Sequence, residues 1–170
     1  MKKYELTAES IVKFGRVLFR IKALVAFADV EEGELGGFIE KEENLDQSGN
    51  AWVYGNAQVS GDAWVYGDAR VYGNARVSGD AWVFRMSHYL TVGPLGSRDD
   101  FTTFFRTKHL TIGVKCGCFK GDIDQFFEAV EKTHGNNKHA RAYKAAIALA
   151  KLQIDLDEED SDEEETGKES

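Results

Sequence analysis

Six hexads run without a gap through residues 49–84: GNAWVY, GNAQVS, GDAWVY, GDARVY, GNARVS and GDAWVF. Gly stands at 49, 55, 61, 67, 73 and 79, always followed by Asn or Asp. Ala holds 51, 57, 63, 69, 75 and 81, and Val holds 53, 59, 65, 71, 77 and 83. A fixed short period of this kind is the signature of a solenoid, whose repeats bury their apolar faces only against neighbouring repeats. Gly followed by Asn or Asp suits a corner, because these residues enter left-handed backbone conformations at least cost. Ala and Val two positions apart point the same way along a strand and supply one small and one medium inward group. Three such faces make a triangular coil of 18 residues, and coils stack at the ordinary interstrand spacing of about 4.8 Å. A meander of hairpins also uses Gly-Asn and Gly-Asp turns. The hexad period, however, leaves strands of about four residues, too short and too regular for independent antiparallel pairs.

Stacking by 18 residues makes the outward positions readable. Trp64 falls beneath Trp82, Tyr66 beneath Phe84, Tyr54 beneath Tyr72, and Trp52 beneath Arg70. These eight residues are the candidate binding residues of two aromatic faces. The third face is polar, with Gln58 below Arg76 and Ser60 below Ser78. The rings have two readings: stacking and cover by the chain's own flanks, or an exposed contact site. Two coils, or three with residues 37–48 as an irregular first turn, are few for a free solenoid, so capping or self-association as a dimer or trimer is expected.

This run resembles the hexapeptide-repeat, left-handed β-helix proteins, which carry an aliphatic residue every six positions and a small residue two before it. The flanks resemble something narrower. LFRIKAL at 18–24 through GELGGFIE at 33–40, and GPLGSR at 93–98 through CGCFKG at 116–121, are similar to small uncharacterised hexapeptide-repeat proteins of phages and prophages. The resemblance covers about residues 4–154. It implies a left-handed coil, where the general rule for parallel crossovers favours the right hand. The fold class expected is mainly β: a short left-handed parallel β-helix, or triangular solenoid, with an N-terminal β cap and a C-terminal α+β unit. The resemblance also implies a non-enzymatic phage or prophage binding protein, an anti-defence or host-takeover inhibitor whose partner is a host protein.

Four segments are expected: an N-terminal β cap at 1–36, the β-helix at 37–84, the α+β unit at 85–154 and an acidic tail at 155–170. The cap draws on β-formers between Tyr4 and Ile21, with a turn at Gly15. After Phe84 the hexad stops. Residues 86–92 and 101–107 read as strands, and Leu110, Ile112, Val114, Cys116 and Cys118 alternate as one face of a third. Asp122 with Gln125 forms a capping box ahead of a stripe of Ile123, Phe126, Phe127 and Val130. A second helix runs to about Ile154 with Tyr143, Ile147 and Ala150 inward. The net charge of −8 is uneven. Residues 155–170 hold ten acids and one Lys, whereas 85–154 hold eleven Lys/Arg and six acids. The tail is expected to stay solvated, as a nucleic-acid mimic, a screen for the chain's own basic residues, or a solubiliser.

Two cysteines among 170 residues do not make a disulfide scaffold. No apolar run approaches the ~20 residues of a membrane span, and the polar start lacks a signal-peptide core. A cytoplasmic protein is expected, in the bacterial host cytosol, with no membrane partner.

Acyl transfer is the enzymatic reading that the resemblance raises, since many such β-helices are acyltransferases with a histidine base between coils. No His lies between 49 and 84; the four stand at 88, 109, 134 and 139. Cys116 and Cys118 lack the spacing and second pair of a zinc site, so no metal and no cofactor is expected. The remaining feature is basic: Arg98, Arg106, Lys108, Lys115 and Lys120, near a loop carrying Ser97. Guanidinium forks and ammonium groups suit planar or phosphate anions. These six residues are the anion-binding candidates, for a nucleotide, a nucleic-acid backbone or a small anion.

Overall fold

The computed structural model describes residues 1–156. Apart from Asp155 and Leu156, the expected acidic tail lies outside the described residues.

The chain opens with a hairpin of β1 (Tyr4–Lys13) and β2 (Arg16–Ala23), which turns at Phe14 and Gly15. Both turn residues have positive φ, 49° and 77°. β3 (Leu35–Ile39) pairs antiparallel with β2 on one side. On its other side β3 pairs in parallel with the hexad strand at Gln58–Val59. The hairpin therefore extends one wall of the repeat region as a sheet and covers its strand edge.

Each hexad contributes one two-residue strand: β4 (Trp52–Val53), β5 (Gln58–Val59), β6 (Trp64–Val65), β7 (Arg70–Val71), β8 (Arg76–Val77) and β9 (Trp82–Val83). They pair in parallel as β4–β7, β5–β8 and β6–β9, and the partners in each pair are one 18-residue stack apart. All six repeat glycines have φ between 58° and 67°, as the corner reading requires. Every repeat Ala and Val is at most 1% exposed, so the small-and-medium filling is the interior. Burying each valine contributes about 1.5–3 kcal/mol, the usual range for an aliphatic side chain of that size. Rungs close through backbone bonds such as Trp64 N–H to the Ala81 carbonyl at 2.8 Å and Tyr54 N–H to the Val71 carbonyl at 2.9 Å.

Past the repeat lie β10 (Tyr89–Leu95), β11 (Asp100–Arg106), β12 (Ile112–Cys116) and β13 (Phe119–Asp122), which form an antiparallel sheet in that order. α1 (Ile123–His134) and α2 (Lys138–Gln153) follow. Phe104 and Phe105 on β11 point to opposite faces of this sheet. Phe104 enters the core with Phe126, Tyr143 and Ile147 of the helices, and Phe105 enters the repeat core. One sheet thus joins the helical layer to the last coil. An isolated bridge between Ala81 and Thr107 and a bond from Lys108 N–H to the Asp80 carbonyl at 2.9 Å reinforce the junction.

The capping box at Asp122 and Gln125 is present. Several details differ from the sequence expectation. Met86–His88 is a short 3-10 turn, so the strand begins at Tyr89. Phe127 is exposed and Lys144 covers its ring, whereas Ile123, Phe126 and Val130 are buried. The alternation ending at Cys118 is broken by a two-residue turn at Gly117 and Cys118, where Gly117 has φ 55°. Cys118 is consequently exposed, whereas Cys116 is half-buried and packs against the helical core.

Candidate functional site

Across the β12–β13 hairpin, Lys115 stands directly opposite Lys120. Like charges in that position repel, so the pair costs stability. Both lysines line a cleft of about 230 Å³ between the tip of the N-terminal hairpin and the C-terminal sheet. The hairpin supplies Lys13, Phe14 and Arg16, and the polar wall of the repeat supplies Gln58, Ser60, Arg76 and Ser78. The polar third face read from the hexads is therefore the floor of this cleft.

Five cationic side chains and no carboxylate line it. Arg76 reaches Asp100 with two nitrogens, at 3.3 and 3.5 Å, and Arg16 bonds the Glu40 carboxylate at 2.8 Å. Burial works to raise the pKa of Glu40, but the Gly61 N–H at 2.7 Å and the Arg16 guanidinium hold it below its ordinary value. Lys13, Lys115 and Lys120 have no ion pair among the described residues. Lys115 instead places its Nζ 4.0 Å from the centre of the Phe14 ring, a cation–π contact that spans the cleft. Burial lowers its pKa, and the neighbouring Arg76 and Lys120 lower it further. Ser78, only 7% exposed, buries a hydroxyl with no hydrogen-bond partner among the described residues. An adjoining depression of about 370 Å³ shares Arg16, Gly61, Gly79 and Lys120 and adds Lys41, Asp62 and Asp80.

Of the six anion-binding candidates from the sequence, the structure brings only Lys115 and Lys120 into this cleft. Arg106 is a correction: it is buried, bonds the Trp82 carbonyl at 3.1 Å and packs on the Phe84 ring. Lys108 is anchored by its backbone beside Asp80, and Ser97 and Arg98 lie on the exposed turn between β10 and β11. Lys13, Arg16 and Arg76 were not singled out, because they belong to segments far from Lys115 in sequence. Their only sequence signal is Arg76 on the polar face.

The aromatic faces divide in the same way. Trp52 is a correction to the outward reading: it is fully buried, with Tyr4 and Phe27 packed edge-on against it. Phe84 is likewise buried, above Tyr66 and beside His88. Tyr54 stacks on Tyr72 with centroids 4.4 Å apart, and Arg70 pairs with Asp29 at 3.5 Å. Trp64 stacks on Tyr66 at 3.8 Å and meets Trp82 edge-on at 5.6 Å. Tyr72 and Trp82 remain exposed, at 40% and 36%.

The histidines lie away from the cleft. His88 is buried, His109 sits 3.6 Å from Asp80, and His134 packs against His139. Among the described residues no cluster of three or more His, Cys, Asp or Glu is placed to hold a metal ion. No described helix is long and apolar enough to cross a membrane.

Residues 69–85 match a family model described as YdcK beta solenoid repeat. The matched stretch contains β7, β8 and β9, the upper strand of each parallel pair. It is similar to a β-solenoid repeat. No curated protein matches the chain.

Proposed function

We propose that this chain is a non-enzymatic binding protein that takes an anionic ligand in the cleft between its hairpin tip and its C-terminal sheet. The supporting observation is the convergence of Lys13, Lys115 and Lys120 on a polar floor, in a cleft whose lining holds no carboxylate. A hairpin selected for stability alone would not set Lys115 against Lys120. The scaffold in this reading is a left-handed triangular hexapeptide coil: three parallel ladders offset by 18 residues support the coil, and the resemblance supplies the hand.

Calorimetric titration of the full chain with a panel of small anions at low and high salt tests the reading. Binding that weakens with salt and is lost in Lys115→Gln is the expected result. No binding by any anion overturns it.

A second reading is favoured by the exposed rings of Tyr72 and Trp82. It is the partner-binding protein of phage type, acting on a host protein or on a second copy of itself. In light scattering, the double variant Trp64→Ala, Trp82→Ala should reduce any oligomer to monomer. Affinity capture from host lysate should recover one stoichiometric protein that the same double variant loses. An oligomer and a capture that both survive the double variant overturn this second reading.

A further inference from the structure

We infer that the ligand of this cleft is a short phosphate chain, two or three phosphoryl groups long, recognised without regard to what the chain is attached to. The inference rests on the anion-binding reading above and adds to it the class of ligand.

Charge sets the length of the chain. Lys13, Lys115 and Lys120 are unpaired ammonium groups among the described residues, and the partly paired Arg16 and Arg76 stand beside them. A single phosphate brings at most about two negative charges, which leaves the lysines undercompensated. Each further phosphoryl group adds another charge, so a diphosphate or triphosphate matches them.

Chemistry excludes the planar alternatives. Lysine is a compact point charge with three rotatable donors, suited to the non-planar array of phosphate oxygens, whereas planar carboxylates favour the arginine fork. Both cleft arginines already hold carboxylates, Arg16 on Glu40 and Arg76 on Asp100. What they retain for a ligand is charge rather than an empty fork.

Size and surroundings set the extent. At about 230 Å³ the cleft is smaller than the ~300–1,000 Å³ that houses drug-sized ligands. The adjoining depression carries Asp62 and Asp80, which repel a phosphate chain, so the chain stays at the Lys13–Lys115 end. Anything esterified to it leaves past Lys120. The unpartnered Ser78 hydroxyl in the floor is a donor that a phosphate oxygen would satisfy.

Proton linkage supplies an independent readout. The charged groups that bear on Lys115 are Arg76 from β8 and Lys120 from β13, which lower its proton affinity. The thiols of Cys118 and, on the other face of the sheet, Cys116 oppose them; Lys13 shares the cleft and the Phe14 ring lies 4.0 Å from the Lys115 Nζ. A chain of negative charge restores the proton affinity that burial and the two cations remove. Binding at a pH high enough for Lys115 to have begun losing its proton therefore takes up a proton, and the measured enthalpy varies with the ionisation enthalpy of the buffer.

The test is calorimetry on the full chain in metal-free buffer of fixed ionic strength, using sodium tripolyphosphate, pyrophosphate, orthophosphate, sulfate, citrate and ATP. Tripolyphosphate should bind at least ten-fold more tightly than orthophosphate, sulfate or citrate, with proton uptake at alkaline pH. The double variant Lys115→Gln, Lys120→Gln should lose at least ten-fold. It removes a repulsion and keeps the fold, which its melting curve checks. Arg98→Ala, outside the cleft, should bind as the parent does. ATP binding as tightly as tripolyphosphate supports recognition of the chain alone and includes nucleotides as a source, whereas exclusion of ATP while tripolyphosphate binds overturns the inference, because the attached group would then decide binding. Binding of ATP without tripolyphosphate overturns the inference. So does equal binding of citrate, sulfate or orthophosphate, while leaving an anion site intact. No binding by any of the six overturns both readings.

Discussion

Lys115 and Lys120 face each other across the shortest possible hairpin, with only Gly117 and Cys118 forming the turn inside the Cys116–Phe119 pair. Opposed like charges are destabilising by up to about 1 kcal/mol relative to a neutral pair. Lys120→Thr should therefore stabilise the chain by about 0.2–1 kcal/mol, because threonine also suits a strand, and should weaken anion binding in the same protein. Urea denaturation and calorimetry measure the two effects. A variant that is both less stable and unchanged in binding would remove the case for a site.

Trp52 and Trp82 occupy the same position of their hexads and differ only in cover. Tyr4 and Phe27 close over Trp52, whereas Trp82, with Trp64 at one edge, is left 36% exposed. Trp52→Ala should cost about 3–5 kcal/mol, as for a large core deletion, and Trp82→Ala less than about 1 kcal/mol. Equal losses in chemical denaturation would mean that the N-terminal segment does not cover Trp52 in solution.

That contrast shows which parts of the fold were legible. The Ala and Val filling, the 18-residue stacking and the polar wall follow from a period that each hexad states locally. The fate of Trp52 does not, because it depends on Phe27, outside the repeat. Arg106 misled for the same reason: its β11 position is sandwiched between two cores, which no local pattern announces. The two-residue turn at Gly117 was legible in principle, since Gly flanked by alternating residues signals a hairpin. The strict alternation of Leu110 through Cys118 masked it. Half of the cleft was invisible because Lys13 and Arg16 reach Lys115 only through folding of the hairpin across the polar wall.

The corners allow a finer test, since all six repeat glycines share the same backbone region but not the same surroundings. A Cβ at Gly55 meets nothing within 4 Å, while one at Gly61 lies 3.1 Å from the Gly79 nitrogen in the coil above. Gly55→Ala should therefore cost only the left-handed backbone penalty of about 1–2 kcal/mol. Gly61→Ala carries that penalty and a clash with backbone, so it should unfold at a lower urea concentration than Gly55→Ala. The reverse order would mean that the corners at 61 and 79 are not stacked.

His88 gives the chain a dependence on pH with a definite sign. Its Nδ1 accepts the Phe84 N–H at 3.3 Å, so the neutral ring carries its proton on Nε2, which has no partner among the described residues. Burial first, then the positive charges of Arg106 and Arg85, lower its pKa from 6.5 to about 4, with Asp155 opposing them. Protonating Nδ1 would set one donor against another. Because the folded pKa lies below the unfolded one, the unfolded chain binds more protons in between. The contribution of this group is complete above about pH 6.5 and is lost as pH falls toward 4. The loss is on the order of 3 kcal/mol. His88→Asn keeps an acceptor for the Phe84 N–H but does not titrate, so its stability should change less over that window once its lower baseline is subtracted. Parallel stability curves for the parent and the variant between pH 7 and pH 4 would show that acid weakens the chain elsewhere, as through the Glu40 carboxylate, whose pKa is lowered.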